Sequence, residues 1–238
     1  MLYLIGLGLN LKGISVEGLE ILKNCKKIYL ENYTVDFPYA ENVLWEFIGK
    51  KIEIADRKKV EGLEIVDEAK KKDVALLIYG SPLTATTHIA LLDEAKHSRV
   101  KCRVIYAGSI FDAIGETGLQ LYKFGKITSM PAWKKSFTPT SFMEIIKDNQ
   151  KIDAHSLILV DIGLPFEKAI EQFKKSLEEH KIRIGKFLVC SNLGTKNKKI
   201  YLRTLKEFED YKIHKPFCFV IPGKLHFAEE EFLKRFEE

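Results

Sequence analysis

Residues 73–88, with the sequence DVALLIYGSPLTATTH, carry the most information about the fold of this chain. An uninterrupted apolar run follows Asp73, and a strand without polar alternation is typically covered by helices on both faces. Gly80 allows the backbone to approach a ligand closely, and Pro82 ends strand pairing. The threonines that come next offer hydroxyls and free amides at a helix start. This order predicts a ligand crevice at the edge of an open α/β sheet, although a plain strand-to-helix turn with a threonine cap fits it as well.

Strands and helices alternate through the N-terminal half of the chain. Ser15 is a predicted N-cap, because apolar residues recur every three positions after it. Regular alternation predicts a parallel sheet with crossover helices. The predicted strands are residues 2–9, 28–30, 52–55, 74–79 and 100–107, and the predicted helices are residues 16–25, 40–48, 62–72 and 86–96.

The pattern changes after residue 107, which predicts two α/β domains, residues 1–112 and 113–238. The polar turn at residues 192–199 lies between short strands and predicts a mixed sheet in the second domain, beside the open, mainly parallel sheet of the first. The second half is predicted to hold helices at residues 108–122 and 165–179 and from residue 227, an irregular basic stretch at 126–136, a capping-box helix start at 139–144, and strands at 157–162, 187–191, 200–203 and 217–221.

Composition and charge indicate an ordinary globular protein. The net charge of +5 comes from scattered lysine pairs and is offset by 33 acidic residues, so charge does not predict nucleic-acid binding. The four cysteines are widely separated and are expected to be reduced thiols in a cytoplasmic protein. The apolar residues 2–9 are too few for a signal sequence or a membrane span, which also favours the cytoplasm and no membrane partner.

The first predicted strand ends in the sequence IGLGL at residues 5–9, which resembles the start of a dinucleotide-binding fingerprint. Glu31 lies about where such proteins hold a ribose. Leu11 occupies the third glycine position, however, so a nicotinamide cofactor is not expected. Lys12 is followed by glycine and isoleucine, and this order excludes a P-loop.

Two more positions follow predicted strands and can be read in two ways. Ser109 and Ile110 come at the end of the fifth strand, where a serine either contacts a ligand or caps the next helix. His226 follows a strand and a Pro-Gly turn in the second half, where a lone histidine is either structural or functional.

Together these segments resemble the diphthine synthase family, in the tetrapyrrole-methylase-like group of S-adenosylmethionine methyltransferases. The resemblance covers essentially the whole chain and implies two α/β domains with the cofactor in the cleft between them, and a homodimer. It is carried, in order, by residues 5–9, 82–88, 109–110, 118–126, 139–141, 161–162 and 222–226.

The resemblance also implies the chemistry. Members of this family methylate the amino group of a modified histidine in translation elongation factor 2 on the route to diphthamide, and archaeal members make the trimethylammonium product diphthine. The implied cofactor is S-adenosylmethionine, the implied product is S-adenosylhomocysteine, and no metal or direct nucleic-acid partner is implied. Methyl transfer depends mainly on alignment, but the amine must be unprotonated. The sequence identifies no catalytic base, and solvent could serve.

The family's cofactor contacts fall on eight positions of this chain by resemblance. In the family an aspartate usually stands where this chain has Ser81, so one charged acceptor is absent. Position 8 is expected to require glycine, because the cofactor passes over it and leaves no space for a side chain. Two alternatives stay open: a uroporphyrinogen- or precorrin-type tetrapyrrole methyltransferase, and a non-catalytic module that binds an adenosyl ligand. The eight positions are Leu9, Ser81, Thr84, Ser109, Ile110, Val160, Ser191 and His226.

Overall fold

The computed structural model describes residues 1–237 and divides the chain into two compact units, Met1–Ala113 and Ile114–Glu238. Each unit contains one five-stranded sheet. No helix within residues 1–237 is both long and apolar enough to cross a membrane.

The first unit has a parallel sheet in the order β3-β2-β4-β1-β5, so the prediction of a parallel sheet is confirmed. Its strands are β1 (Leu2–Gly6), β2 (Lys27–Glu31), β3 (Glu53–Ala55), β4 (Val74–Ile78) and β5 (Cys102–Ile105). Its helices are α1 (Val16–Asn24), α2 (Glu41–Ile48), α3 (Arg57–Glu61), α4 (Glu64–Ala69), α5 (Ile89–His97) and α6 (Ile110–Ala113).

Strand β4 lies in the middle of this sheet and is buried along its whole length. Its even-numbered residues pack in one core with α3, α4 and α5, and its odd-numbered residues pack in another with α1 and α2. We call these the α3–α5 face and the α1–α2 face. The predicted coverage of β4 on both faces is therefore confirmed.

Local details of the first unit differ from the sequence predictions. Strands β1 and β5 end at Gly6 and Ile105, earlier than predicted, so the residues that follow form loops at the carboxyl edge. The predicted helix at residues 62–72 is instead the pair α3 and α4. Gly62 ends α3, and Leu63, with a φ of 62°, turns the chain into α4.

The second unit has a mixed sheet, as predicted, and its strand order is β6-β7-β10-β8-β9. Strand β6 runs parallel to β7, and the other neighbours are antiparallel. Its strands are β6 (Thr128–Met130), β7 (Ser156–Val160), β8 (Phe187–Ser191), β9 (Lys199–Arg203) and β10 (Phe217–Ile221). Its helices are α7 (Phe142–Lys151), α8 (Phe166–Glu179), α9 (Leu205–Phe208) and α10 (Phe227–Leu233).

Two predictions at the start of this half are wrong. The helix predicted to reach Tyr122 ends with α6, and 3₁₀ turns follow at Ile114–Thr117 and Leu121–Lys123. The Thr117 hydroxyl donates to the Ile114 carbonyl at 2.7 Å and accepts from the Leu119 amide at 3.2 Å, which replaces helical backbone bonding. The stretch predicted to be irregular contains β6, a three-residue edge strand without an apolar pattern.

The predicted capping box before α7 does not form. Ser141 has helical backbone angles and makes no side-chain cap. Glu144, the expected partner, instead bonds to His180, which directly follows α8, at 3.0 Å. The same local signature does form at Thr204 and Glu207, ahead of α9, which sequence analysis did not predict.

An aromatic core holds the second unit together. Phe219 lies fully buried in β10 and contacts the rings of Phe173 and Phe187 at centroid distances of 5.4 and 5.6 Å. Edge-to-face and tilted contacts of this kind add to the energy of area burial.

Phe219→Ala is expected to lower the free energy of unfolding by about 3–5 kcal/mol, because it leaves a cavity in this core. Phe227→Ala, at a position 76% exposed, is the matched control and should change it by less than about 0.5 kcal/mol. Urea unfolding measures both. Equal effects of the two substitutions would contradict the assignment of the core.

Candidate functional site

The carboxyl edge of the first sheet contains a topological switch point between β1 and β4. The chain leaves β1 for α1, on the α1–α2 face, and leaves β4 for α5, on the α3–α5 face. Neighbouring strands whose connections depart to opposite faces leave a crevice at their carboxyl ends, where open α/β sheets bind ligands. The crevice predicted from residues 73–88 therefore corresponds to the carboxyl ends of β1 and β4.

A backbone bridge joins the loops that follow β1 and β4. Gly8 and Gly80 exchange two hydrogen bonds of 3.1 and 3.0 Å, and both have positive φ angles. A Cβ on Gly8 would lie 2.8 Å from the backbone of Gly13, so the loop itself requires glycine there. This packing accounts for Gly8 without a ligand, in contrast to the reason expected from sequence. A Cβ on Gly80 would meet nothing closer than 3.9 Å.

The five predicted site residues of the first unit all lie at this edge. Leu9 follows β1, Ser81 and Thr84 follow β4, and Ser109 and Ile110 follow β5. The loops after β4 and β5 also approach each other, since a Cβ on Gly80 would lie 3.9 Å from the Ser109 Cα. The first unit therefore brings these five positions together.

The turn after β4 presents a free hydroxyl. The Thr84 amide donates to the Ser81 carbonyl at 3.1 Å, and Ala85 adopts a φ of 54° that non-glycine residues rarely adopt. Within the described part of the chain no hydrogen bond engages the Ser81 hydroxyl, although the residue is buried. Strained backbone and unused polar groups in one turn are typical of binding sites.

Other contacts at this edge fix the loops. Ser109 caps α6: its hydroxyl donates to the Asp112 carboxylate at 2.9 Å and accepts from the Phe111 amide at 3.2 Å. The interpretation of Ser109 as a helix cap is therefore confirmed. Tyr79, which sequence analysis missed, donates its hydroxyl to the Leu9 carbonyl at 2.9 Å and holds the loop after β1.

The second unit separates its three predicted site residues. Val160 and Ser191 end β7 and β8, which both pair with the intervening β10 in antiparallel fashion, and therefore lie at the same end of the sheet. His226 follows β10 at the opposite end, where the Gly223 amide donates to the Nδ1 of His155, just before β7, at 2.8 Å. The structure does not bring His226 together with Val160 and Ser191.

His226 has a structural partner in a buried ion cluster. It caps α10 in a reciprocal box with Glu229, whose carboxylate is 1% exposed. Glu229 accepts from the His226 amide at 2.7 Å, from His155 at 3.1 Å, from the Gln120 amide at 2.8 Å and from Lys123. Burial favours the protonated form, but the hydrogen bonds outweigh it and lower the pKa of Glu229 to about 2.

Glu229→Gln is expected to lower the free energy of unfolding by about 3 kcal/mol at neutral pH, because Lys123 loses its buried partner. A depressed carboxyl pKa contributes stability above the unfolded-state pKa that is lost as pH falls. The difference from wild type should therefore shrink steadily below about pH 4.5. Urea unfolding across pH measures it, with the exposed Glu230→Gln as control. A difference independent of pH would show that the charge is not responsible.

Comparisons of the sequence and of the structure with known proteins identify the same family. Residues 1–209 match the family model of the tetrapyrrole (corrin/porphyrin) methylases. The chain is 38% identical to a diphthine synthase of Methanocaldococcus jannaschii, with 98% of each chain covered. It is 35% identical to a diphthine methyl ester synthase of Candida glabrata, with 100% of this chain and 90% of the relative covered.

A crystal structure of diphthine synthase superimposes with a TM-score of 0.90 at 31% identity, over 99% of this chain and 95% of that one. Identity above 30% over nearly the full length, together with the same fold, leaves the family unambiguous. The chain belongs to the diphthine synthases of the tetrapyrrole methylase family.

Proposed function

We propose that this protein transfers methyl groups from S-adenosylmethionine to the amino group of the modified histidine of translation elongation factor 2, forming diphthine. The observation that carries the proposal is full-length similarity, in sequence and fold, to diphthine synthases. The alternative of a tetrapyrrole methyltransferase draws only on the broader family model.

The first unit has features that fit the cofactor. The switch point between β1 and β4 leaves room above Gly80 and Gly108, since a Cβ on Gly108 would meet nothing within 4 Å. Ser81 directly follows Gly80, and the Gly8 loop is bonded to Gly80 through its backbone. S-adenosylmethionine, when bound, supplies an electrophilic methyl group on a sulfonium sulfur.

The proposed cofactor contacts in the first unit are therefore the five positions at its carboxyl edge. Tyr79 and His88 support them, because each holds a carbonyl of a bordering loop: Leu9 at 2.9 Å and Pro82 at 3.1 Å. Rigid loops reduce the entropy lost when a ligand is aligned. Val160, Ser191 and His226 are proposed contacts from family resemblance, and the structure offers a common location only for the first two.

Family resemblance also supports a homodimer. The proposed substrate, a translation factor, supports a cytoplasmic location.

Incubation of the purified protein with methyl-labelled S-adenosylmethionine and elongation factor 2 carrying the modified histidine is expected to move label onto the factor. Mass spectrometry then counts the methyl groups added. A factor with the acceptor histidine replaced is the control and should stay unlabelled. Binding of S-adenosylhomocysteine without any transfer would favour a non-catalytic module, and transfer to a uroporphyrinogen alone would favour the tetrapyrrole alternative.

Ser81→Asp is expected to tighten S-adenosylhomocysteine binding by about ten- to a hundredfold. A restored charge-assisted hydrogen bond is worth about 1.5–3 kcal/mol, which corresponds to that range. Calorimetric titration of both proteins measures it. Unchanged affinity would mean that Ser81 does not face the ligand.

Asp112 offers a specific alternative outcome. Its carboxylate bonds to Ser109, which follows β5 and lies close to Gly80. If Asp112 already supplies the missing charge, Ser81→Asp would weaken binding by repulsion. Ser81→Asn, which adds a similar volume without charge, is the matched control and separates the two effects.

A further inference from the structure

The first unit contains buried polar atoms without a hydrogen-bond partner. Within residues 1–237, four buried side-chain atoms lack a hydrogen-bond partner: Oε2 of Glu31, the hydroxyls of Tyr33 and Tyr39, and Nε2 of His88. Glu31 ends β2, Tyr33 and Tyr39 follow it, and His88 follows β4. Tyr39 packs against the core on the α1–α2 face, whereas Glu31, Tyr33 and His88, which we call the Glu31 cluster, interact with the charges of α3. Buried polar groups are nearly always hydrogen-bonded, so each exception requires an explanation, and a catalytic role is one.

Glu31 is the charged member of this cluster. It ends β2 and is fully buried; its Oε1 accepts a hydrogen bond from the Thr34 hydroxyl, and its Oε2 has no partner. Burial raises the pKa of Glu31 to about 7, against the hydrogen bond from Thr34 and the charge of Arg57. A partly buried cation beside Oε2 would stabilise the ionised form.

His88 is a neutral acceptor in a fixed orientation. Its Nδ1 lies 3.1 Å from the Pro82 carbonyl, which can only accept, so Nδ1 carries the hydrogen and Nε2 presents a lone pair. Burial lowers the pKa of His88, with the Pro82 bond and Glu61 acting in the opposite direction, so the ring is neutral at neutral pH.

The charges of α3 connect these groups with Tyr33. Arg57 lies over the Tyr33 ring at 5.2 Å and also acts on Glu31, while Glu61 acts on both Tyr33 and His88. Strands β2 and β4 are direct neighbours, with Leu30 opposite Leu77, so their carboxyl ends lie side by side. Tyr33 also packs against the core on the α3–α5 face, as does Leu83 from the turn after β4.

Two acceptors and a hydroxyl, one of the acceptors a carboxylate, match a protonated amine. We propose that Glu31, Tyr33 and His88 form the subsite for the amino group that is methylated, and that Glu31 takes its proton. This rests on the proposed function and names the base that the sequence did not identify. The connection at residues 32–40, which carries Tyr33 and Tyr39 between β2 and α2, must move aside to admit the amine.

The proton transfer balances at each round. An N–H bond of the ammonium breaks and an O–H bond forms on Oε2 of Glu31, which leaves a lone pair on nitrogen. The nitrogen–carbon bond then forms as the methyl group leaves sulfur, and Glu31 returns its proton to solvent. A mono- or dimethylated ammonium still has an N–H bond, so one acceptor serves every round.

Glu31→Gln retains the bond from Thr34 and removes the base. We expect kcat to fall by about 100-fold at neutral pH, with the affinity for S-adenosylhomocysteine within about twofold of wild type. Its rate should then climb about tenfold per pH unit as the amine deprotonates in solution, whereas the wild-type rate levels off earlier. Glu64→Gln, on the exposed start of α4, is the control and should behave as wild type.

Two further variants ensure that the test does not depend on Glu31→Gln alone. His88→Asn preserves a donor to Pro82 but removes the second acceptor, and Tyr33→Phe removes only the hydroxyl. Each is expected to raise KM for the elongation factor by about five- to tenfold with cofactor affinity unchanged. Thermal unfolding of each variant reports whether it is folded.

The outcomes separate the two proposals. A wild-type protein that never methylates the factor contradicts the proposed function. A wild type that methylates it, with Glu31→Gln showing the same kcat and the same pH profile, overturns the amine subsite alone. Loss of cofactor affinity in all three variants also overturns it, because the cluster would then act only through the turn after β4.

Discussion

The burial of β4 on both faces is the constraint on which the first unit depends. A strand in this position needs neighbours on both sides and helices above and below, because its backbone and side chains have no access to water. Strands β1 and β2 supply the hydrogen bonds, and α1 to α5 supply the cover. The crevice at the carboxyl edge follows from that arrangement, since β1 and β4 send their helices to opposite faces.

The loops at this edge are built mainly from backbone interactions. Gly8 and Gly80 pair with each other, and the side chains of Tyr79 and His88 each hold a carbonyl. These contacts satisfy the loop backbone and leave the Ser81 hydroxyl unused. Glu31 ends the neighbouring strand β2 and His88 follows β4, and each has a buried polar atom without a partner, which is the feature that supports the proposed amine subsite.

Sequence reasoning succeeded where the information is local. The apolar run of β4, the Ser15 cap and the alternation of strands and helices all depend on neighbouring residues, and the structure confirms them. It failed where a residue distant in the sequence determines the local hydrogen bonding. Glu144 stands in a capping-box position, yet Ser141 adopts helical angles and Glu144 bonds to His180 at the end of α8.

The candidate site shows the same limit. Ser81, Ser109 and their neighbours could be placed because they follow strands directly. The Glu229 cluster could not, because its members come from Gln120, His155 and His226, which only the folded sheet brings together. The sequence position of Glu31 fits a ribose contact, whereas its burial and its unpartnered oxygen arise only in the folded protein, and no local pattern reveals them.

The strand order also has a consequence for synthesis on the ribosome. Strand β1 is made first, but its partners begin at Val74 and Cys102. At about 5–20 residues per second, the nascent chain waits roughly 5–20 seconds before β1 can be enclosed. During that interval an apolar segment with unpaired backbone is exposed, so β1 can make non-native contacts until its partners have emerged.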